Sequence, residues 1–259
     1  IQNLPWPEQY ARLSDPAFKA QLLGELNLPP EHPDLAPLAM IVTGGWGMQF
    51  PLGDVPNYEP APEESIAALA SARGRDPAEL AYDLLMADEG NGFIYLPLLN
   101  YADGNLDFLQ DMLLNRDDVV ISLSDGGAHC GTICDAASPT FLLQHWVRDR
   151  ERGRIPLGLA VRRQCRDTAL LYGLSDRGLL QPGYLADLNV IDLDALALEK
   201  PYLAWDLPAG GRRLLQKARG YVATVKSGQV TFRHGQVQAA RPGKVIRGPQ
   251  VEPMAIAAE

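Results

Sequence analysis

An α/β fold that gives way to antiparallel β structure near residue 174 is predicted by three features of the 259-residue sequence. The runs Phe93-Ile94-Tyr95-Leu96 and Asp118-Val119-Val120-Ile121-Ser122-Leu123 lack polar alternation, the character of strands covered on both faces in a parallel sheet. Helical patterns stand between and after them, in the order strand, helix, strand, helix. Beyond Leu174 the pattern turns to short β runs broken at Pro182-Gly183, Ser227-Gly228 and His234-Gly235, which read as hairpins. The predicted domains are therefore 1–174 and 175–259.

Residues 1–60 are rich in Pro, with a helix expected near Asp15 to Leu26 and a buried strand at Leu38-Ala39-Met40-Ile41-Val42 before the glycine-rich turn Thr43-Gly44-Gly45-Trp46-Gly47. Ile66, Leu69 and Ala70 at i, i+3 and i+4 predict a helix that Gly74 ends. Asp76 is placed to cap the next helix, with Pro77 at its first position and Glu79 at its third, ahead of the apolar stripe Leu80, Leu84, Leu85. Further helices are expected over Asn105 to Leu114, Pro139 to Arg152 and Pro156 to Tyr172, the last stopped by Gly173 with Arg162, Arg163 and Arg166 on its outer side. The alternating charges of Arg148 to Arg154 read as a solvated helix end. A strand around Leu188 to Ile191 and hairpins over Tyr221 to Gln238 complete the tail.

Composition removes several classes of function. Twenty-three Lys and Arg against 32 Asp and Glu give a net charge of −9, which opposes a nucleic-acid or anionic-membrane surface. The longest apolar stretches, such as Leu35 to Val42, fall well short of the roughly 18–20 residues of a membrane helix. Three cysteines, Cys130, Cys134 and Cys165, are an odd number in a chain too long to need disulfide staples, and a cytoplasmic protein is expected. Gly44-Gly45-Trp46-Gly47 lacks the Gly-Lys-Ser/Thr ending of a phosphate loop. His129, Cys130 and Cys134 offer imidazole and thiolate, but the flanks lack a fourth ligand in ribbon spacing; the cysteines are read as packing residues. The opening Ile1-Gln2-Asn3-Leu4 carries neither an initiator Met nor a signal pattern, so the chain is expected to begin inside a longer one.

Chemistry concentrates at Ser124-Asp125-Gly126-Gly127-Ala128-His129. An apolar strand ending in an acid and two glycines places a carboxylate at the carboxyl end of a parallel strand, where α/β barrels build their sites. The glycines admit a ligand close to the backbone. On these residues alone, Asp125 serves equally well as a turn or cap residue. Asn100 and Tyr101 follow the Phe93 strand and belong on the same face, or to a loop cap.

The tail segments Gly178 to Asp192 and Val222 to Val230 resemble the C-terminal signature of the amidohydrolase superfamily. With Ser124-Asp125-Gly126, the stretch Asp167-Thr168-Ala169-Leu170-Leu171-Tyr172-Gly173-Leu174-Ser175-Asp176-Arg177-Gly178 more narrowly resembles its N-acyl-D-amino-acid deacylase (D-aminoacylase) branch. The likeness runs weakly before residue 60 and strongly from Asp118 to Gly248. It implies the C-terminal part of a (β/α)8 barrel holding one or two zinc ions, followed by strands of a small β-sandwich. Asp125 then matches the strand-eight aspartate, which touches the metal, takes a proton from the metal-activated water and passes it to the leaving nitrogen of an N-acyl amino acid. Asn100, Gly127 and His129 are the expected substrate contacts.

Two departures accompany the resemblance. The chain has four histidines, His32, His129, His145 and His234, and no His-x-His pair, so most zinc ligands are expected upstream of Ile1, on a missing N-terminal half of the barrel. Cys130 to Leu143 carries no Arg, where D-aminoacylases that grip the substrate carboxylate have one. The alternatives are a cyclic-amide hydrolase of the hydantoinase or dihydroorotase type, and an inactive truncated module. Half a barrel has open sheet edges, which predict self-association.

Overall fold

A computed structural model of the chain describes residues 1, 3–25, 27–28, 30–122, 131–132 and 135–253. They form two compact units, Ile1–Leu106 and Asp107–Glu259.

The first unit begins with α1 (Trp6–Leu13) and α2 (Pro16–Gly24), the latter capped by Asp15, whose carboxylate accepts from the Ala17 N–H at 2.9 Å. The apolar run expected as a strand at Leu38 to Val42 is instead helical, within α3 (Ala36–Gly44). A run of five apolar residues contains too little periodicity to separate the two states, and Pro37 lies in the first helical turn, where its missing N–H costs nothing. The buried Gln49 side chain then donates to the Ile41 and Val42 carbonyls in the last turn of the helix, at 2.9 and 3.1 Å. No residue of α3 is buried.

Strands β1 (Phe50–Leu52) and β2 (Phe93–Tyr95) pair antiparallel, with Phe50 opposite Tyr95 and Leu52 opposite Phe93. Between them stand α4 (Ile66–Ala72), capped by Ser65, and α5 (Pro77–Gly90). Asp76 caps α5 by accepting from the Ala78 and Glu79 N–H groups at 2.8 and 3.1 Å, and Gly74 adopts φ +60° between the two helices, as the sequence predicts. Ile66, Ala70, Leu80 and Ala81 form the core of this unit, with Trp46, Leu69, Leu84 and Ile94 packed against them. Lys19 of α2 and Arg75 both reach Asp83 of α5 at 2.5 Å.

The second unit opens with α6 (Asp107–Asn115). Asp118 to Ser122, expected to begin a buried parallel strand, forms no ladder among the described residues; parallel pairing needs neighbours far away in sequence, which three apolar positions do not specify. Helix α7 (Ser138–Phe141) runs on as a π-helix over Leu142–Asp149. Helix α8 (Leu157–Val161) likewise passes through a π-helix at Arg162–Asp167 into α9 (Thr168–Leu171), and Gly173 at φ +69° ends it.

Four strands make the main sheet, in the order β10 (Gln236–Val237), β9 (Gln229–Arg233), β8 (Tyr221–Lys226), β3 (Leu188–Ile191), all antiparallel. Ser227-Gly228 at φ +50° and +76°, and His234-Gly235 at φ +46° and +75°, make the two tight turns. Positive φ at both central residues gives the twist that hairpin strands require. Two smaller antiparallel pairs join β4 (Ala197–Leu198) to β7 (Ala218–Arg219) and β5 (Tyr202–Ala204) to β6 (Arg213–Leu215).

Three arginines expected at the surface are held by neighbours instead. Arg150 is 4% exposed, lies over the Trp146 ring and donates to Asp107 at 2.6 Å. Arg163 is 3% exposed. Arg166 lies over the Tyr184 ring and donates to the Ser175 and Arg177 carbonyls at 3.3 and 3.1 Å.

Candidate functional site

Asp125, Gly127 and His129 lie outside the described residues, as do Cys130 and Cys134. What the structure describes is the segment that leads to them and the helix beside it. Arg116 clamps Asp118 with two bonds of 2.8 and 2.6 Å, and that guanidinium holds the exposed Asp118 carboxyl down to about 2. The Val119 carbonyl then accepts from Nη1 of Arg163 at 3.2 Å, and the Ile121 carbonyl from Oγ1 of Thr168 at 3.2 Å. Both donors come from the helical stretch α8 to α9.

Asn100 is exposed in the loop after β2, at φ +62°. Its neighbour Tyr101 is a core residue of the first unit, 1% exposed, with its hydroxyl donating to the Pro60 carbonyl and its ring edge-on to Phe50 at 6.2 Å. Burial, helped by the charges of Glu59 and Glu64, pushes the Tyr101 phenol up to about 12. That hydroxyl is committed to the backbone and is not available to a substrate.

The described histidines are dispersed. His32 lies 3.6 Å from Asp34, His145 stacks on Phe141 at 4.7 Å, and His234 occupies a hairpin turn. Among the described residues no group of three or more His, Cys, Asp or Glu could hold a metal ion. An open groove of about 650 Å³ in the second unit is lined by Asp176, Arg177, Lys226, Lys244 and Arg247, none of them among the expected site residues.

Three residues to which the sequence assigned no such role have defined tasks. Arg163 and Thr168 meet the segment before Asp125. Asp187 receives Lys226 at 2.9 and 2.7 Å and the Ser227 N–H at 2.8 Å, fixing the turn between β8 and β9. The available signal for Asp187 was an acid just before a strand; for Arg163 and Thr168 it was their five-residue spacing, which a 3.6-residue helix does not place in line.

The chain matches the model of the Amidohydrolase family over residues 48–232. Among solved structures, it is similar to a D-aminoacylase mutant determined in complex with 100 mM copper chloride, at 21% identity and a TM-score of 0.40. That likeness covers 91% of this chain and 44% of the other, so the chain spans less than half the length of the structure it matches. No curated protein matches it.

Proposed function

The chain belongs to the amidohydrolase family, and from that premise we propose that it serves in hydrolysis of the amide carbon–nitrogen bond of N-acyl amino acids, those of D configuration first. The observation that carries this reading is the family match over residues 48–232, which takes in Asp125 at the end of an apolar run and before two glycines. The resemblance of Asp167 to Gly178 to the D-aminoacylase branch narrows the substrate.

In the proposed reaction, water adds to the amide carbonyl while the Asp125 carboxylate takes its proton. A carbon–oxygen bond forms. The protonated Asp125 then gives that proton to the nitrogen as the carbon–nitrogen bond breaks, leaving a carboxylic acid and an amine, and the acid's remaining proton passes to the amine to give carboxylate and ammonium. Asn100, Gly127 and His129 are proposed to meet the substrate, and the proposed domains are 1–174 and 175–259. Amidohydrolases are typically metal-dependent. Zinc, with Asp125 among its ligands, is proposed for this chain together with the polypeptide that supplies the remaining donors and barrel strands.

The test is an assay of the whole protein on paired N-acyl-D- and N-acyl-L-amino acids and on cyclic amides. Asp125→Asn is expected to lower kcat by about 10²–10⁴-fold on the D substrates, with bound metal unchanged by elemental analysis. A variant as active as the parent removes Asp125 from the reaction, and turnover of cyclic amides alone replaces the substrate.

A further inference from the structure

We infer that Arg163 and Thr168 are positioning residues that hold the backbone of Val119 and Ile121, shortly before Asp125 in the sequence, from one side; this rests on the role proposed above for Asp125. The carbonyls of Val119 and Ile121, two residues apart, are both met by side chains of the one helical stretch α8 to α9. On that side each meets a side-chain donor, Nη1 of Arg163 at 3.2 Å and Oγ1 of Thr168 at 3.2 Å. The single hydroxyl proton of Thr168 is shared between the Ile121 carbonyl and the Arg163 carbonyl, the latter at 2.9 Å. One side chain therefore ties the segment to the backbone of the helix.

The helix is shaped for this. Hydrogen bonding widens to i→i+5 over Arg162–Asp167, and Arg163 and Thr168 stand five residues apart, one such turn. Single π turns recur at functional sites because they re-aim side chains that a regular helix would point elsewhere.

Arg163 is also costly where it is. Its guanidinium is 3% exposed, and its ion-pair partner among the described residues, Asp117, lies 3.7 Å away and is itself 93% exposed, a weak partner. Its Nε is buried with no hydrogen-bond partner among the described residues. A buried cation with so little ion pairing is a poor device for stability alone. What it does hold is a backbone carbonyl six residues before Asp125, while Thr168 holds one four residues before. A displacement of about 1 Å in a reacting group costs about 10²-fold in rate, so fixing this approach matters more to turnover than to folding.

Four variants of the whole protein test this: Thr168→Val, which keeps the shape and loses the hydroxyl, Thr168→Ser, which keeps the hydroxyl, and Arg163→Met beside Arg163→Lys. Steady-state kinetics are read together with hydrogen–deuterium exchange of the peptide spanning 118–125. The expected result is a kcat lowered about 10- to 10²-fold in Thr168→Val with KM within about twofold, recovery in Thr168→Ser, and faster exchange confined to 118–125. Unchanged kcat and unchanged local exchange in Thr168→Val overturn the inference, as does exchange that quickens throughout the protein in step with lost activity. If Arg163→Met does not fold, Thr168→Val decides. Should Asp125→Asn prove fully active, the catalytic reading falls and the exchange data alone judge the tether: faster local exchange in Thr168→Val upholds it, unchanged exchange rejects it.

Discussion

Asp187 shows how one carboxylate fixes a turn. Burial raises its affinity for a proton, but the Lys226 bond, the Ser227 N–H and the charges of Lys226 and Arg177 outweigh this, so its carboxyl titrates below the usual range. A depressed folded-state pKa contributes stability that is fully present above the unfolded value of about 3.9 and is lost as pH falls through the lower folded value. Asp187→Asn is therefore expected to cost about 1.5–3 kcal/mol in urea unfolding at pH 7 and progressively less below about pH 4. An equal cost at both ends of that window would assign the effect to packing. The charge of Asp187 is evident in the sequence; its partner Lys226, 39 positions away, is not. The same limit applies to Arg150, Arg163 and Arg166. A charged residue on a helix reads as solvated until the chain that covers it is known, and in Arg163 the widened helical turn also changes the face on which the residue falls.

Caps and turns were the most legible elements, because their chemistry is local. Asp76, Gly74, Gly173, Ser227-Gly228 and His234-Gly235 each stand where the sequence predicts. Two glycines of the tail separate the kinds of constraint involved. At Gly228, φ is +76° and nothing lies within 4 Å of an added Cβ, so Gly228→Ala is expected to cost only the left-handed penalty of about 1–2 kcal/mol. At Gly220, φ is +94° and a Cβ would stand 2.5 Å from the Leu196 Cα, a backbone atom that cannot step aside. Gly220→Ala is expected to cost about 3 kcal/mol or more, and thermal melting of the two variants compares them directly. A Gly220→Ala protein as stable as Gly228→Ala would show that the backbones at Gly220 and Leu196 separate freely at this approach. The apolar runs were the illegible elements. Leu38 to Val42 is helical and Asp118 to Ser122 forms no ladder among the described residues, since a short apolar run fixes burial without fixing which hydrogen bonds satisfy its backbone.

For the molecule as a whole, family membership was legible in the tail signature long before any pairing was, and the match over residues 48–232 bears it out. The candidate site was legible only as the position of Asp125; the side chains that meet the approach to it belong to a helix some forty residues later, 44 between Arg163 and Val119. Helix α3 has a bearing on how such a chain survives its own synthesis. Its nine residues, Ala36 to Gly44, include no charge, and Met40 and Val42 are 75% and 48% exposed. Segments of this kind are what holding chaperones bind on nascent chains, through the same apolar contacts that drive aggregation. Met40→Lys is expected to raise the soluble yield severalfold on expression and to reduce the large species seen by light scattering. Extra chaperone should rescue the parent protein more than the variant; equal rescue would mean that some other segment governs its escape from the ribosome.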